Sequence, residues 1–447
     1  MKAVILCLAL AWASTIVAAE APGDQPNPGS PTPVTQATID KLLAVIAEHE
    51  ARIDELERKL GDAGSGVTET PPPRPAIAAI SPPVVAAVVA PELPVVAPAV
   101  TAQPVQDHDI MMTIPGGPQL HIRGFADYNL GFGQDANPLI FPLGRPAHTT
   151  FQVGEIDLYM TSQLSKKISF LAEFIVGSDQ TNTFGWDIER YQLTYKHNPY
   201  FQITGGRFHT SIGYYNTTFH HGTWFQTTTG RPFMYFFEDS GGMLPVHTVG
   251  ASLTGLVPKT GKLNLHWIAE GGNGRSSDSS LAPVQNFLSD KNRKAVNFAI
   301  YVQPEWVPGL QMGGSFYVDK LYPPTGLGIA QNISSAYVIY NNSAWEIMDE
   351  AVLLTNKVSG TDLVYHTPLM YTQVSRAFGR YRPYFRYQYV NSPNNDPVNI
   401  FTGRYMGPSV GLRMDFTNYV ALKVQYNRLY QRVPAWNGLD LQAAFTF

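Results

Sequence analysis

Cysteine is almost absent from the sequence, since Cys7 is the only one in 447 residues. A lone cysteine excludes a disulfide framework and a cysteine-ligated metal centre. Charged residues make up only 15% of the chain, and the formal net charge of −4 offers no basic surface for nucleic acid. No membrane helix is predicted after the N-terminal segment 1–19, because Pro82, Pro91 and Pro98 interrupt the most apolar stretch there, 76–100.

Residues 1–19 have the features of a secretory signal peptide. Lys2 precedes an apolar run, and Ala18 and Ala19 provide a small-residue cleavage site. Cleavage there would remove Cys7, so the mature protein is predicted to be exported and free of cysteine. An uncleaved anchor helix is the alternative, but the apolar run is shorter than the ~20 residues that a span needs.

A short coiled coil is predicted over residues 36–60, after a segment 20–35 that we expect to be disordered. Apolar residues recur there at alternate spacings of three and four, which is a heptad pattern. The core positions are Ile39, Leu42, Ile46, His49, Ile53, Leu56 and Leu60. The isoleucine and leucine pattern favours two strands, but His49 interrupts it, so the coil leaves dimer and trimer open. A single amphipathic helix is the alternative.

Residues 61–106 are rich in proline, alanine and valine. Such a composition favours extended polyproline geometry at ~3.1 Å per residue and makes a semi-rigid spacer. We therefore expect a linker that holds the coil away from the following domain, on its periplasmic side.

The region 107–447 is predicted to be all-β, a transmembrane antiparallel β-barrel of about sixteen strands. Its strands alternate apolar and polar residues. In the last strand, Leu439 and Phe447 share one face, and Asp440 and Gln442 share the other. Short turns alternate with longer loops along the chain, as they do in outer-membrane barrels. A soluble two-sheet protein is the alternative, but it has no reason to produce that alternation.

The segment 209–245 is the exception to this regularity. It follows neither a helical nor a strand period, glycine and proline interrupt it, and it is dense in aromatic residues. Loops of this length in compact domains are functional or disordered, and the aromatic content argues against disorder. A barrel of this size leaves an aqueous channel unless something fills it. We predict that this loop folds inward and narrows the channel.

Charged residues on the polar faces of the strands and on this loop are the candidate pore-lining and selectivity residues. Opposite charges on a pore wall tune ion selectivity, and charges facing lipid would be costly. Each charge can instead pair with a neighbour across the sheet. The candidates are Arg123, Asp127, Arg231, Glu238, Asp239, Arg382, Arg386, Arg413 and Lys423.

The region 200–257 resembles the phosphate-selective porin O/P family of outer-membrane porins. In that family a Gly-x-Phe-Lys-Thr-Pro-Phe-Gly-like strand end leads into a long inward loop, and a Gly-x-x-Leu-x-Gly strand follows. The matching residues are Gly206–Gly213, Arg231-Pro232 and Gly250–Gly255. The order of signal, coil, proline-rich linker and barrel resembles the DcaP-like branch. This resemblance implies a sixteen-stranded, trimeric diffusion channel with the loop as its constriction.

The loop departs from that family in its charges. Phosphate selectivity there depends on closely spaced arginine and lysine at the constriction, whereas Arg231 is the only firm cation of this loop. Histidines accompany it at positions 209, 220, 221 and 247, and Glu238 and Asp239 add negative charge. Phosphate specificity is therefore not expected.

The sequence thus predicts an outer-membrane porin of a Gram-negative-type bacterium for passive diffusion of small hydrophilic solutes or ions. Its expected partners are outer-membrane lipid, the solutes and two further copies in a homotrimer, with the coil in the periplasm. An anion preference is expected from the arginines. Aromatic residues of the loop either stack on sugars and aromatic acids or pack the loop against the wall.

Two other classes of function compete with transport. The coil and linker suit a structural barrel anchored to the periplasmic cell wall. A barrel enzyme would need a nucleophile motif, and His220, His221, Asp239 and Ser240 do not form one. Neighbouring histidines seldom chelate one ion, so no metal and no cofactor are expected.

Overall fold

The computed structural model describes Arg58 and most of the chain from residue 110 onward. The described ranges are 110–113, 117–133, 149–178, 183–219, 221–238, 242–277, 287–323, 326–399, 403–431 and 436–447. The chain divides into two units, one of residues 21–95 and one of residues 1–20 and 96–447. Of the first, only Arg58 is described, with a helical backbone and an exposed side chain. The predicted signal 1–19, disordered segment 20–35 and linker 61–106, and the predicted coil 36–60 apart from Arg58, lie outside the described residues.

In the described part of the chain, seventeen strands make up one antiparallel sheet. The first, β1, is the short strand Ile110–Thr113. Strands β2–β9 are Gln119–Gly133, Thr150–Ser165, Ile168–Ser178, Phe184–Asn198, Phe201–His209, His247–Leu256, Leu265–Gly272 and Ala295–Val302. Strands β10–β17 are Leu310–Leu321, Ile329–Asn341, Trp345–Val358, Val364–Arg376, Tyr381–Asn391, Arg404–Asp415, Val420–Gln431 and Trp436–Thr446.

Strands β2 to β17 close into a barrel. Each pairs with the next one along the chain, and β17 returns to pair with β2, with Leu441 opposite Leu130. Closure removes the free strand edges that would otherwise expose unpaired backbone groups. The predicted all-β antiparallel barrel of sixteen strands is thereby confirmed.

Side chains alternate between the outer surface and the barrel interior. In β9, Val296, Phe298 and Ile300 are exposed on the outside, whereas Asn297 and Ala299 are buried inside. The outer surface is therefore apolar and the inner surface polar, which is the reverse of a soluble globular domain and suits a lipid exterior.

The last strand follows the predicted division of faces. Leu441 and the terminal Phe447 are exposed, whereas Asp440, Gln442 and Thr446 are buried on the inner face. The period of two therefore assigns the polar residues of this strand to the interior.

Two details differ from the sequence-based expectation. Strand β1 was not predicted; it pairs with the start of β2, with Ile110 opposite Ile122. The sequence also favours a tight turn at Pro258–Gly261, but the connection 257–264 contains a 3₁₀ turn at Gly261–Leu263, and Asn264 follows it with a left-handed backbone at φ 48°. No helix of the described residues is long and apolar enough to cross a membrane.

A charge placed on the outer surface tests whether that surface faces lipid. Phe385 lies at the middle of β14 and Phe184 at the first residue of β5, and both are exposed. In lipid vesicles we expect Phe385→Lys to lower the free energy of unfolding by about 2–4 kcal/mol and Phe184→Lys by about 0–1 kcal/mol. Urea titration of the two folded variants measures the difference, and equal losses would contradict a lipid-facing belt.

Candidate functional site: the loop inside the barrel

Residues 210–246 connect β6 to β7, and the described part of this segment, 210–219, 221–238 and 242–246, runs through the barrel interior. It contains a short helix, α1 (Tyr214–Thr218), and 3₁₀ turns at Thr223–Phe225 and Phe233–Tyr235. Most of its side chains are buried, and they contact inward-facing residues of strands far from β6 and β7. We call this segment the inward loop.

Glu350 on β12 binds the first turn of α1. Its carboxylate accepts hydrogen bonds from the backbone N–H of Tyr214 at 2.7 Å and of Tyr215 at 2.9 Å. The hydroxyls of Tyr235 and Tyr371 donate to the same group at 2.8 and 2.6 Å. Four donors around one buried carboxylate satisfy it without a cation and hold the helix start against the wall.

Gly213 permits this close approach. It has φ 77°, a conformation that favours glycine. A Cβ at this position would overlap the Tyr235 hydroxyl and the Glu350 carboxylate. The glycine that ends the family-like motif therefore has a structural reason: it lets the backbone lie against Glu350.

Two further wall carboxylates bind the loop in the same way. Glu270 on β8 accepts hydrogen bonds from the backbone N–H of Ser211 at 3.0 Å and from its hydroxyl at 2.7 Å. Glu346 on β12 accepts one from the Thr227 hydroxyl at 3.0 Å. Asp157 on β3 likewise accepts a hydrogen bond from the backbone N–H of Gly222 at 3.1 Å, so carboxylates of several wall strands bind donors of the loop.

Arg386 also binds the loop, but as a positively charged donor and not as a carboxylate acceptor. Its Nη1 donates to the Gly230 carbonyl at 2.8 Å, and its Nη2 donates to the Thr228 hydroxyl at 2.6 Å. The Nε donates to Gln373 at 2.8 Å, and the side chain is 2% exposed. Arg386, a predicted pore-lining residue, therefore lies between the barrel wall and the loop.

Arg413 and Lys423 bind neighbouring carbonyls. Nη1 of Arg413 donates to Trp224 O at 2.6 Å and Gln226 O at 2.9 Å. The ammonium of Lys423 donates to Thr223 O at 2.6 Å. Buried backbone carbonyls need donors, and here the wall cations supply them.

Arg123, Asp127 and Arg382 lie elsewhere on the inner wall. Arg123 packs over the Trp224 ring at 5.7 Å and donates to Thr446 at 3.3 Å. Asp127 is buried and accepts a hydrogen bond from the Asn129 amide.

No hydrogen bond joins Arg382 to the described residues of the loop. It donates to the Ser375 hydroxyl at 3.4 Å and is partly exposed. Of the acidic loop candidates, Glu238 is buried against His247, and Asp239 lies outside the described residues.

Arg231 is held between aromatic rings of the loop. Its guanidinium lies 4.0 Å from the Phe237 ring centroid and 5.3 Å from that of Tyr215, and its Nε donates to Tyr235 O at 2.8 Å. Burial lowers the pKa of Arg231 from its usual value. Neither Nη1 nor Nη2 finds a hydrogen-bond partner among the described residues.

Aromatic residues of the loop pack against the wall. Tyr215 and Tyr235 stack with ring centroids 5.8 Å apart, and Phe233 stacks on Tyr405 of β15 at 4.7 Å. Each is at most 3% exposed, so these rings are part of the core inside the barrel. Burial also raises the pKa of Tyr215 to about 12. Rings in this position pack the loop and do not face a solute.

A cluster of two histidines and three carboxylates joins the loop to the wall. Nε2 of His221 lies 3.1 Å from one oxygen of Glu189, and Nε2 of His247 lies 2.8 Å from the other. The Nδ1 atoms face Glu155 at 2.8 Å and Glu238 at 3.0 Å. Burial alone would lower the pKa of His221, but Glu189 and Glu155 outweigh it and hold that pKa well above its ordinary value.

A cavity of about 260 Å³ lies between the inward loop and strands β2, β3 and β17. Asp127, Glu155, His221, Arg231 and Phe237 are among the residues that line it. Acidic and basic groups therefore face each other across an opening beside the loop.

Sequence reasoning missed Glu189, Glu346 and Glu350. The signal for Glu346 and Glu350 was present, because both have the same parity along β12 and so face the same side of the sheet. Their partners on the loop had no such signal, because a loop without a period does not reveal which backbone groups approach the wall.

The role of Glu350 predicts faster local opening when its charge is removed. In Glu350→Gln, we expect the amides of Tyr214 and Tyr215 to exchange hydrogen at least about tenfold faster. Hydrogen bonds to a charged group contribute about 1.5–3 kcal/mol, and ~1.4 kcal/mol corresponds to tenfold. Hydrogen exchange with mass spectrometry over residues 210–219 measures this.

The matched control is the neighbouring Asp349→Asn. Asp349 lies on the other face of β12 and is bonded to Thr372, not to the loop. Its exchange over 210–219 should equal that of the unmodified chain. Equal protection in both variants would show that Glu350 does not hold the loop.

No protein-family model and no curated relative matches the sequence. Solved structures match in fold. The outer membrane channel DcaP of Acinetobacter baumannii has a TM-score of 0.53 at 11% identity, over 75% of this chain and 99% of that one. The Salmonella typhi OmpF complex with daunomycin has 0.50 at 13% identity, over 76% and 100%. The anion-selective porin from Comamonas acidovorans has 0.50 at 10% identity, over 74% and 100%. The described barrel therefore has the sixteen-stranded fold of outer-membrane porins.

Proposed function

We propose that the protein is an outer-membrane porin for passive diffusion of small hydrophilic solutes or ions, with the loop 209–245 as its constriction. The observation that carries this proposal is the inward loop itself. A polar-lined, closed barrel contains a folded segment that the wall binds through both its amides and its carbonyls, at Glu350 and Arg386 among others. A wide barrel narrowed in this way suits selective diffusion.

The solute path is proposed to pass beside the loop, through the cavity against β2, β3 and β17. This opening carries charges of both signs, with Asp127 and Glu155 on the wall and Arg231 on the loop. Opposite charges on the two sides of a solute path favour hydrated polar solutes over apolar ones.

An anion preference would depend on few residues. Arg386, Arg413 and Lys423 are occupied by the loop. Arg123, Arg231 and Arg382 remain as the cations of this proposal, opposed by Asp127. A modest preference is therefore proposed, and phosphate specificity is not.

The chain's relation to the phosphate-selective porin O/P family and its DcaP-like branch belongs to this proposal. It is supported by the loop motif at Gly206–Gly213 and by the fold shared with the DcaP channel. On the basis of this relation we also propose a homotrimer in the outer membrane, with a periplasmic coil at 36–60. We expect no enzymatic activity, because the described histidines of the loop bind carboxylates or backbone and not a nucleophile.

Planar-bilayer recording under a salt gradient tests this function. The purified mature protein should form open channels, and the reversal potential should have the sign of a weak anion preference. Purified, folded protein that never conducts would contradict the porin proposal. A reversal potential of the opposite sign would contradict the anion preference alone.

Two arginine variants separate loop fixation from ion selection. We expect Arg386→Gln to raise single-channel conductance and its fluctuation, since the loop loses donors at Gly230 O and Thr228 Oγ1. Arg382→Gln, which leaves the loop bonds intact, should change the reversal potential more than the conductance. Recordings of the two variants side by side decide the matter. The reverse pattern would show that Arg386 selects ions and Arg382 holds the loop.

A further inference from the structure

We propose that Glu189, His221 and His247 bind a divalent metal ion of the zinc class between the inward loop and the barrel wall. The three residues come from β5, from the loop and from the start of β7. One ligand atom of each lies within 4.8 Å of the others, and all three side chains are buried. Two imidazole nitrogens and a carboxylate are a donor set that zinc accepts, with bonds of about 2.0–2.2 Å.

The outer contacts of the two histidines have the form of a metal centre. Nδ1 of His221 binds Glu155 at 2.8 Å, and Nδ1 of His247 binds Glu238 at 3.0 Å. Histidines that ligate a metal usually hold a carboxylate with the other ring nitrogen, which fixes the tautomer and turns Nε2 towards the ion. Both Nε2 atoms here converge on the same carboxylate, that of Glu189.

Those two Nε2 atoms are buried, and each faces one oxygen of Glu189, at 3.1 Å for His221 and 2.8 Å for His247. Without an ion, a proton on each Nε2 can be shared with the Glu189 carboxylate at these distances. A divalent ion bound at the same place would displace those protons. A single divalent ion would serve both nitrogens and the carboxylate together.

The positive charge nearest the centre does not take the place of an ion. Arg207 donates its Nε to the backbone carbonyl of Glu189 at 2.6 Å, and its Nη2 is 3.5 Å from the carboxylate. The carboxylate is thus left mainly to the histidines. Three carboxylates, of Glu155, Glu189 and Glu238, surround the centre and offset the charge of a dication.

Ring packing fixes the orientation of the ligands. Phe237 stacks on His221 with centroids 3.8 Å apart and an interplanar angle of 1°. It also stacks on His247 at 5.4 Å and 16°. Both imidazoles are therefore held in place by one ring, which keeps the ligand set preorganised.

The proposed centre adjoins the cavity beside the loop, because His221 and its outer partner Glu155 line that cavity. Three protein ligands and one open position admit a water molecule. The ion would tie the loop at His221 to the wall at Glu189. This binding depends on the folded loop and not on whether the channel conducts.

The test is zinc binding by the mature, tag-free protein, refolded after treatment with a chelator. Isothermal titration with zinc chloride and elemental analysis after gel filtration should give one zinc per chain. Cobalt(II) in place of zinc should produce visible absorption bands of a four-coordinate ion. Absence of both the stoichiometric zinc and the cobalt spectrum would overturn the proposal.

Variants locate the ion. His221→Gln and Glu189→Gln should lose the bound zinc, whereas Glu155→Gln, which removes an outer contact, should weaken the affinity by about 10–100-fold. His266→Gln is the control, because His266 stacks on Tyr301 of β9 away from the cluster. Circular dichroism and heat-modified gel mobility confirm that each variant is folded. Full zinc binding by folded His221→Gln or Glu189→Gln would place the ion elsewhere and overturn the assignment.

Discussion

A polypeptide segment inside a closed barrel has to find partners for its backbone N–H and C=O groups, and this requirement organises the interior. Few of these groups in the inward loop belong to regular structure, since α1 and the 3₁₀ turns are short. Leaving them unpaired when buried costs about 1–3 kcal/mol each. The wall meets the need with charged side chains: Glu270 and Glu350 accept from amides, and Arg386 and Lys423 donate to carbonyls.

This requirement has a consequence for transport. A charged side chain that binds the loop backbone is no longer free to attract a hydrated ion. The electric field in the solute path is therefore weaker than the number of cationic wall residues suggests. Arg386, Arg413 and Lys423 belong to this group. In this proposal, Arg123, Arg231 and Arg382 determine the selectivity. The residues that hold the loop in place are therefore different from those that select solutes.

The fold was predictable because side chains of a barrel strand point alternately inward and outward. Polar and apolar residues therefore alternate along the sequence and show which face is which. The inner placement of Asp440 and Gln442 followed from that alternation. Strand β1 was missed because Ile110–Thr113 is too short for a period to show. Arg386 and Arg413 were predicted to face inward, and they do, but the loop carbonyls that they bind could not be predicted.

The histidine cluster shows the limit of sequence reasoning more sharply. In the sequence, His221 is next to His220, but in the structure its neighbours in the cluster are Glu189 and His247. Barrel register decides where Glu189 lies, and the path of the loop decides where His221 lies. Neither is encoded in a local pattern, because the three residues belong to three separate segments of the chain.

Single-channel conductance of a loop replacement tests the central claim most directly. In this variant a short glycine–serine linker replaces residues 214–237, and the barrel strands are unchanged. If the inward loop fills the lumen and sets the size of the path, the variant should conduct more than the intact chain and should pass larger uncharged sugars in liposome swelling. Equal conductance and an equal size limit in a folded variant would contradict the account.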